Sequence, residues 1–257
     1  MDIHESLALE REGIISIVGA GGKTSLMYAL ARELRASGKR VLTTTTTKIY
    51  PPTREESAAT LISRDPEELV ERARPLLRTY SHLTVASRYL EEHGKLEGLE
   101  PSAIEYISHS NLFDFIVIEA DGAARRSLKA CAPHEPVVPL FSDRVVAVVG
   151  LDVVGKPLSE ESVFRSDIFS RIAGLKISEA ITESAIASVI TRDMSAVAVS
   201  SRGCMKIAFL NKADTLGSFQ AGLRITAQLE TSARAVFNRI VIGALGENPL
   251  VYRCTTL

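Results

Sequence analysis

The chain has 257 residues, 46% of them hydrophobic, with 30 Lys and Arg against 31 Asp and Glu and a formal net charge of −1. That length can bury a substantial core in one large α/β domain spanning 1–257, with residues around 50–110 as a candidate insertion, and the near-neutral charge removes any global electrostatic case for nucleic acid or an anionic membrane. Cys131, Cys204 and Cys254 lie far apart with no Cys-x-x-Cys pair, which excludes a zinc or dithiol motif and suits thiols in a reducing compartment. The charged first eleven residues, and the lack of any apolar run near 18 residues, lead to the expectation of a cytoplasmic protein with no membrane span.

In chain order, Ile14 to Val18 is a β-branched apolar run that predicts a strand buried on both faces. Leu26, Leu30 and Leu34 then recur at helical spacing from Thr24 to Ser37, with Gly38 at the C-cap, and Arg40 to Thr47 reads as the next strand. Further on, the pattern predicts helices at Pro66–Leu77 and Pro101–Ser110 around a strand at Leu83–Ser87. Strands follow at Phe115–Ile118 and Val145–Val149, then a helix at Ser178–Ile190, a strand at Ile207–Leu210, a helix at Phe219–Ala235 and a last strand at Arg239–Ile242. This alternation predicts an α/β fold, a mostly parallel sheet with helices on both faces, and the GAGGKTS turn between its first strand and helix makes that expectation P-loop NTPase-like.

Three segments carry the chemistry. Between the first strand and helix stand Gly19, Ala20, Gly21, Gly22, Lys23, Thr24 and Ser25: the glycines permit close approach of a ligand, the helix N-terminus favours anions, Lys23 suits β- and γ-phosphates, and the Thr24 hydroxyl suits Mg²⁺. The loop is two residues shorter than G-x-x-x-x-G-K-[ST] and in this resembles the Mur ligase group. Glu119 and Asp121 follow the Phe115–Ile118 strand, where one carboxylate can hold Mg²⁺, the expectation here being Asp121 beside Thr24, and the other can orient a water or act as base. Asn211-Lys212-Ala213-Asp214 follows another strand and fits N-x-x-D guanine reading in the form N-K-x-D, with Asp214 accepting from the base, so ATP and GTP both stand as ligands. Of the threonines Thr43 to Thr47, Thr46 and Thr47 with Lys48 are candidates to line the site, and the segment Arg125, Arg126, Lys129, His134, Glu135 offers cations for an anionic substrate.

VGAGGKTS, VLTTTTTKIYPP, KLEGLEP, IEADGAARRSLKACAPHEPVVP and FLNKAD together resemble the YqeC family, bacterial and archaeal proteins named as accessory factors for selenium-dependent molybdenum hydroxylases. The resemblance implies nucleotide binding at Gly19 to Ser25 and a role in maturing or inserting a selenium-containing or molybdenum cofactor, with a hydroxylase apoprotein or its cofactor as partner. A Mg²⁺-dependent NTPase or NTP-driven transferase is the leading expectation. A nucleotide-switched chaperone or insertase and an amide-forming ligase are the alternatives, and the oligomeric state stays open.

Overall fold

A computed structural model describes residues 1–133, 135–198, 203–246 and 250–257; His134 lies outside them. The central sheet is built from β1 (Gly13–Gly19), β2 (Val41–Thr45), β3 (Thr60–Ile62), β4 (His82–Ala86), β5 (Phe115–Glu119), β6 (Arg144–Gly150), β7 (Met205–Asn211), β8 (Arg239–Gly243) and β9 (Val251–Thr256). Their order across the sheet is β9-β8-β7-β6-β1-β5-β2-β4-β3. Every pairing is parallel except that of β8 with β9. The inner strands read as unbroken apolar runs because both faces are covered, and β5 and β6 are buried along their whole length.

Alternate strand residues feed two cores. On one face Ile15, Ile17, Val117 and Val146 pack with α1 (Ile3–Ser6) and α2 (Lys23–Ala36) through Ile3, Leu26, Leu30 and Leu34. On the other, Val18, Ile116, Ile118 and Ala147 pack with α3 (Pro66–Leu76), α4 (Pro101–Ser108), α5 (Ser166–Ala173), α6 (Glu183–Ala196) and α7 (Leu216–Ser232). Helices therefore cover both faces, as the alternation of elements predicts.

Two departures have local causes. The helix expected over Ser178–Ile190 begins only at Glu183, because residues 178–181 are held against 155–158: Leu158 N–H donates to Glu179 O at 2.8 Å and Ile181 N–H to Lys156 O at 2.9 Å. Thr182 then caps α6 by accepting from Ala185 N–H. Helix α5 and strand β9 carry no sequence signal of the kind used: α5 starts after Arg165 in a left-handed conformation with no side-chain cap, and β9 is an edge strand with mixed exposure. A smaller antiparallel sheet of Lys48–Ile49, Lys95–Glu97 and Arg88–Leu90 stands beside the end of β2. Gly98 N–H donates to Thr47 O at 2.7 Å and Leu99 N–H to Thr45 O at 2.8 Å, which ties it there. Among the described residues no helix is long and apolar enough to cross a membrane.

Candidate functional site

The carboxyl ends of β1, β5 and β2 open on a cleft of about 1410 Å³, the edge of a parallel sheet where ligands bind. The turn from β1 into α2 requires glycine at Gly19, Gly21 and Gly22. At Gly19, φ is +88° and a Cβ would stand 2.3 Å from Val148 O; at Gly22, φ is +128° and a Cβ would stand 2.3 Å from Asn211 Nδ2. Gly19, Ala20 and Gly21 have already committed their N–H groups, to Asp121 Oδ2, Val148 O and Arg126 O. Helix α2 has no side-chain N-cap, so the N–H groups of Gly22, Lys23, Thr24 and Ser25 are the donors left for a ligand, and these residues line the cleft.

Lys23 is only 5% exposed. Its Nζ donates to Gly19 O at 2.8 Å and stands 3.0 Å from Asp121 Oδ1 and 3.7 Å from Glu119 Oε1. The approach to Asp121 Oδ1 is an ion-pair distance without hydrogen-bond alignment, and that buried oxygen has no donor. Thr24 Oγ1 donates to Glu119 Oε2 at 2.6 Å. The hydroxyl thus meets Glu119 and not Asp121, the partner expected from the sequence. Asp121 points instead into a buried charge chain: Lys129 Nζ lies 3.0 Å from Asp121 Oδ2 and 2.7 Å from Glu135 Oε2, and Arg165 Nη2 donates to Glu135 Oε1 at 2.8 Å. Burial pushes the Glu119 carboxyl above its ordinary range, opposed by Lys23 and Thr24. Burial also works to raise Glu135, but Arg165 and Lys129 overcome it and hold that carboxyl down at about 2.

The other expected residues divide. Asn211 Nδ2 donates to Gly21 O at 2.7 Å while its Oδ1 accepts from Leu245 N–H at 3.2 Å, so it clamps the glycine turn to the loop after β8. Lys212 reaches the cleft with Nζ 2.6 Å from Ser127 Oγ and 3.1 Å from Asp152 Oδ2. Asp214 is exposed and outside the cleft walls. Thr46, Thr47 and Lys48 line the cleft, whereas Thr43, Thr44 and Thr45 are buried and bond Thr84 Oγ1, Val85 O and Glu119 O. Arg125 and Arg126 also line it. Tyr50, Arg64 and Lys95 line the cleft without any motif to announce them, and Ser127, Asp152 and Arg165 enter only as partners of Lys212 and Glu135. Asp152 has a usable signal, since it stands two residues past β6 as Asp121 stands two past β5; Arg165 has none.

The family model described as YqeC protein matches residues 15–167, more than half of the chain. The chain is 32% identical over 247 residues to the uncharacterized protein YqeC of Escherichia coli (strain K12), covering 96% of this chain and 93% of that protein. Two crystal structures of FtsY from Mycoplasma mycoides are similar at 13% and 14% identity with TM-scores of 0.40 and 0.35, covering 97% and 91% of this chain. This chain spans only 64% and 62% of those two chains, and a likeness of that degree assigns nothing here. Family match and curated relative agree with the motifs: the chain belongs to the YqeC family.

Proposed function

We propose that the protein binds a nucleoside triphosphate with Mg²⁺ at the β1–α2 turn and acts as an NTPase or NTP-driven transferase. On this reading it is an accessory factor in selenium or molybdenum cofactor maturation of hydroxylases. The observation that carries the chemistry is the convergence of Lys23, Thr24, Glu119 and Asp121 on the uncapped first turn of α2, inside the cleft. The accessory role is carried by the family resemblance alone.

The donor set suits a hard cation: the Thr24 hydroxyl and the Glu119 carboxylate are oxygen donors within 2.6 Å of each other. Thr24 and Glu119 would hold Mg²⁺, with Asp121 the alternative carboxylate, and the ion would supply charge neutralisation on the phosphates. Lys23, whose contact with Asp121 is unaligned, exchanges that carboxylate for β- and γ-phosphate oxygens. Asp121 stays anchored by Lys129 and Gly19 N–H. Of the residues after β7, Lys212 lines the cleft and Asn211 holds the turn, which supports a base extending toward that end of the sheet, with Asp214 exposed beyond the cleft walls.

A second reading, a nucleotide-switched insertase, is favoured by the charge chain from Lys23 through Asp121, Lys129 and Glu135 to Arg165 at the head of α5. Turnover that is slow alone and stimulated by a hydroxylase apoprotein would select it. The test of the common core is calorimetric titration with ATP and GTP, with and without Mg²⁺, alongside phosphate release. Lys23→Ala is expected to weaken triphosphate binding at least tenfold with the fold retained. Unchanged affinity would remove the turn from the nucleotide site.

A further inference from the structure

We infer that the half of the cleft away from the base-side residues is a separate subsite for a second, phosphate-bearing substrate, held by Lys48, Lys95 and Arg125 around Tyr50. The inference rests on the reading of the β1–α2 turn as a nucleotide site and names the class of its co-substrate.

The sheet order separates the two halves. Asn211 and Lys212 end β7, two strands from β1 on one side, whereas Lys48 and Tyr50 continue from β2, two strands from β1 on the other. At about 4.8 Å per strand the two ends lie roughly 19 Å apart, with the turn between them. A triphosphate whose base lies toward β7 directs its terminal phosphate to the β5 and β2 side. The cleft, at about 1410 Å³, is larger than the roughly 300 to 1,000 Å³ that one small ligand occupies.

Charge on that side is unbalanced. Among the described residues no carboxylate forms an ion pair with Lys48, Arg64, Lys95 or Arg125, all of which line the cleft. The lining carboxylates are mostly taken: Glu97 by Arg88 at 2.6 Å, Glu135 by Lys129 and Arg165, Glu119 by Lys23 and Thr24, which leaves Glu100. Two of the cations come from separate chain segments and meet over one ring, with Lys95 Nζ 4.9 Å and the Arg125 guanidinium 4.4 Å from the centre of Tyr50. Tyr50 and Arg125 are exposed and Lys95 is half-buried. Arg125 reaches it from a turn in which Ala124 and Arg125 take φ of +44° and +60°, a conformation disfavoured for non-glycine residues that costs about 1 kcal/mol or more each. Lys48 and Lys95 sit on the small sheet clamped to the end of β2 through Gly98. Like charges gathered on a fixed frame, with an aromatic ring among them, suit a multiply charged oxyanion more than a neutral or cationic ligand.

The test saturates the protein with Mg²⁺ and a non-hydrolysable triphosphate analogue and then titrates pyrophosphate by calorimetry. The parent is expected to bind one further pyrophosphate, and Lys95→Ala/Arg125→Ala to bind it at least tenfold more weakly with nucleotide affinity changed less than twofold. Lys48→Ala is the independent arm, and thermal midpoints check that each variant folds. No second binding event in the parent, or an event that the variants retain, would overturn the subsite. A nucleotide affinity that falls tenfold with the pyrophosphate would also overturn it, by giving these cations to the nucleotide itself. Titrating Lys23→Ala with pyrophosphate alone separates the two readings: if the parent fails to bind the analogue, the nucleotide site is wrong, yet this variant still binds pyrophosphate if the subsite is right.

Discussion

At the scale of single residues, the two strand-end carboxylates have unlike surroundings. Glu119 faces the cleft and receives the Thr24 hydroxyl, while Asp121, 2% exposed, accepts from Gly19 N–H and pairs with Lys129. Glu119→Gln is therefore expected to lower Mg²⁺-dependent phosphate release about 10²-fold or more and to reduce the gain in triphosphate affinity that Mg²⁺ gives, because the amide brings no charge to the ion. Asp121→Asn should instead lower stability, since it leaves Lys129 short of charge in a buried setting. Phosphate release and urea midpoints on both variants check the division, and equal effects on both readouts contradict it. Asp214 poses the base question: if it reads guanine, GTP binds more tightly than ATP, by about fivefold or more, and Asp214→Asn weakens GTP selectively. Competitive titration of the two nucleotides decides it, and equal affinities in the parent would make Asp214 an exposed turn residue.

Among the elements, the strand pair Leu128–Lys129 and Val163–Phe164 does more than its length suggests. It places Lys129, whose side chain is fully buried, between Asp121 and Glu135, with a further bond to Gly122 O at 2.8 Å. Despite burial, these carboxylates push the Lys129 ammonium above its ordinary range. Lys129→Met fills the space but leaves Asp121 with only Lys23 and Glu135 with only Arg165 as counter-charge, and removing one partner from a buried charge network costs up to about 3–5 kcal/mol. Urea unfolding is expected to show a loss of that order. A loss below about 1 kcal/mol would mean that the chain from the turn to α5 is loosely held and cannot transmit a change at Lys23.

Across the whole molecule, pH reports on the sheet. His82 is 2% exposed at the start of β4, with Nε2 3.0 Å from Thr43 Oγ1. Burial, with a smaller contribution from the charge of Arg35, holds its imidazole down at about 4 against an ordinary 6.5. Between those values the unfolded chain binds a proton that the folded one refuses, so stability falls as pH is lowered from about 6.5 to about 4 and this contribution is then spent. The loss is about 3 kcal/mol at most. Glu135, held at about 2, loses its own contribution only lower, as pH falls from the ordinary carboxylate value through about 2. Urea midpoints at pH 7, 5.5 and 4.5 should fall for the parent and fall less for His82→Gln. Parallel curves would place the acid sensitivity elsewhere.

Apolar runs, glycine placement and the strand-end acids made the β1–α2 turn, the parallel α/β architecture and the candidates Lys23, Thr24, Glu119 and Asp121 legible from sequence, because periodicity and turn chemistry are local properties of the chain. Local signals also misplaced the start of α6, where pairing of residues 178–181 with 155–158 overrides a helical pattern. The partners were decided only by the tertiary structure. Asn211 clamps Gly21 across 190 residues and Thr24 meets Glu119 across 95, contacts that depend on β5 and β6 flanking β1 and on β7 lying next to β6. Strand order follows from which faces bury together, and no spacing along the chain encodes it.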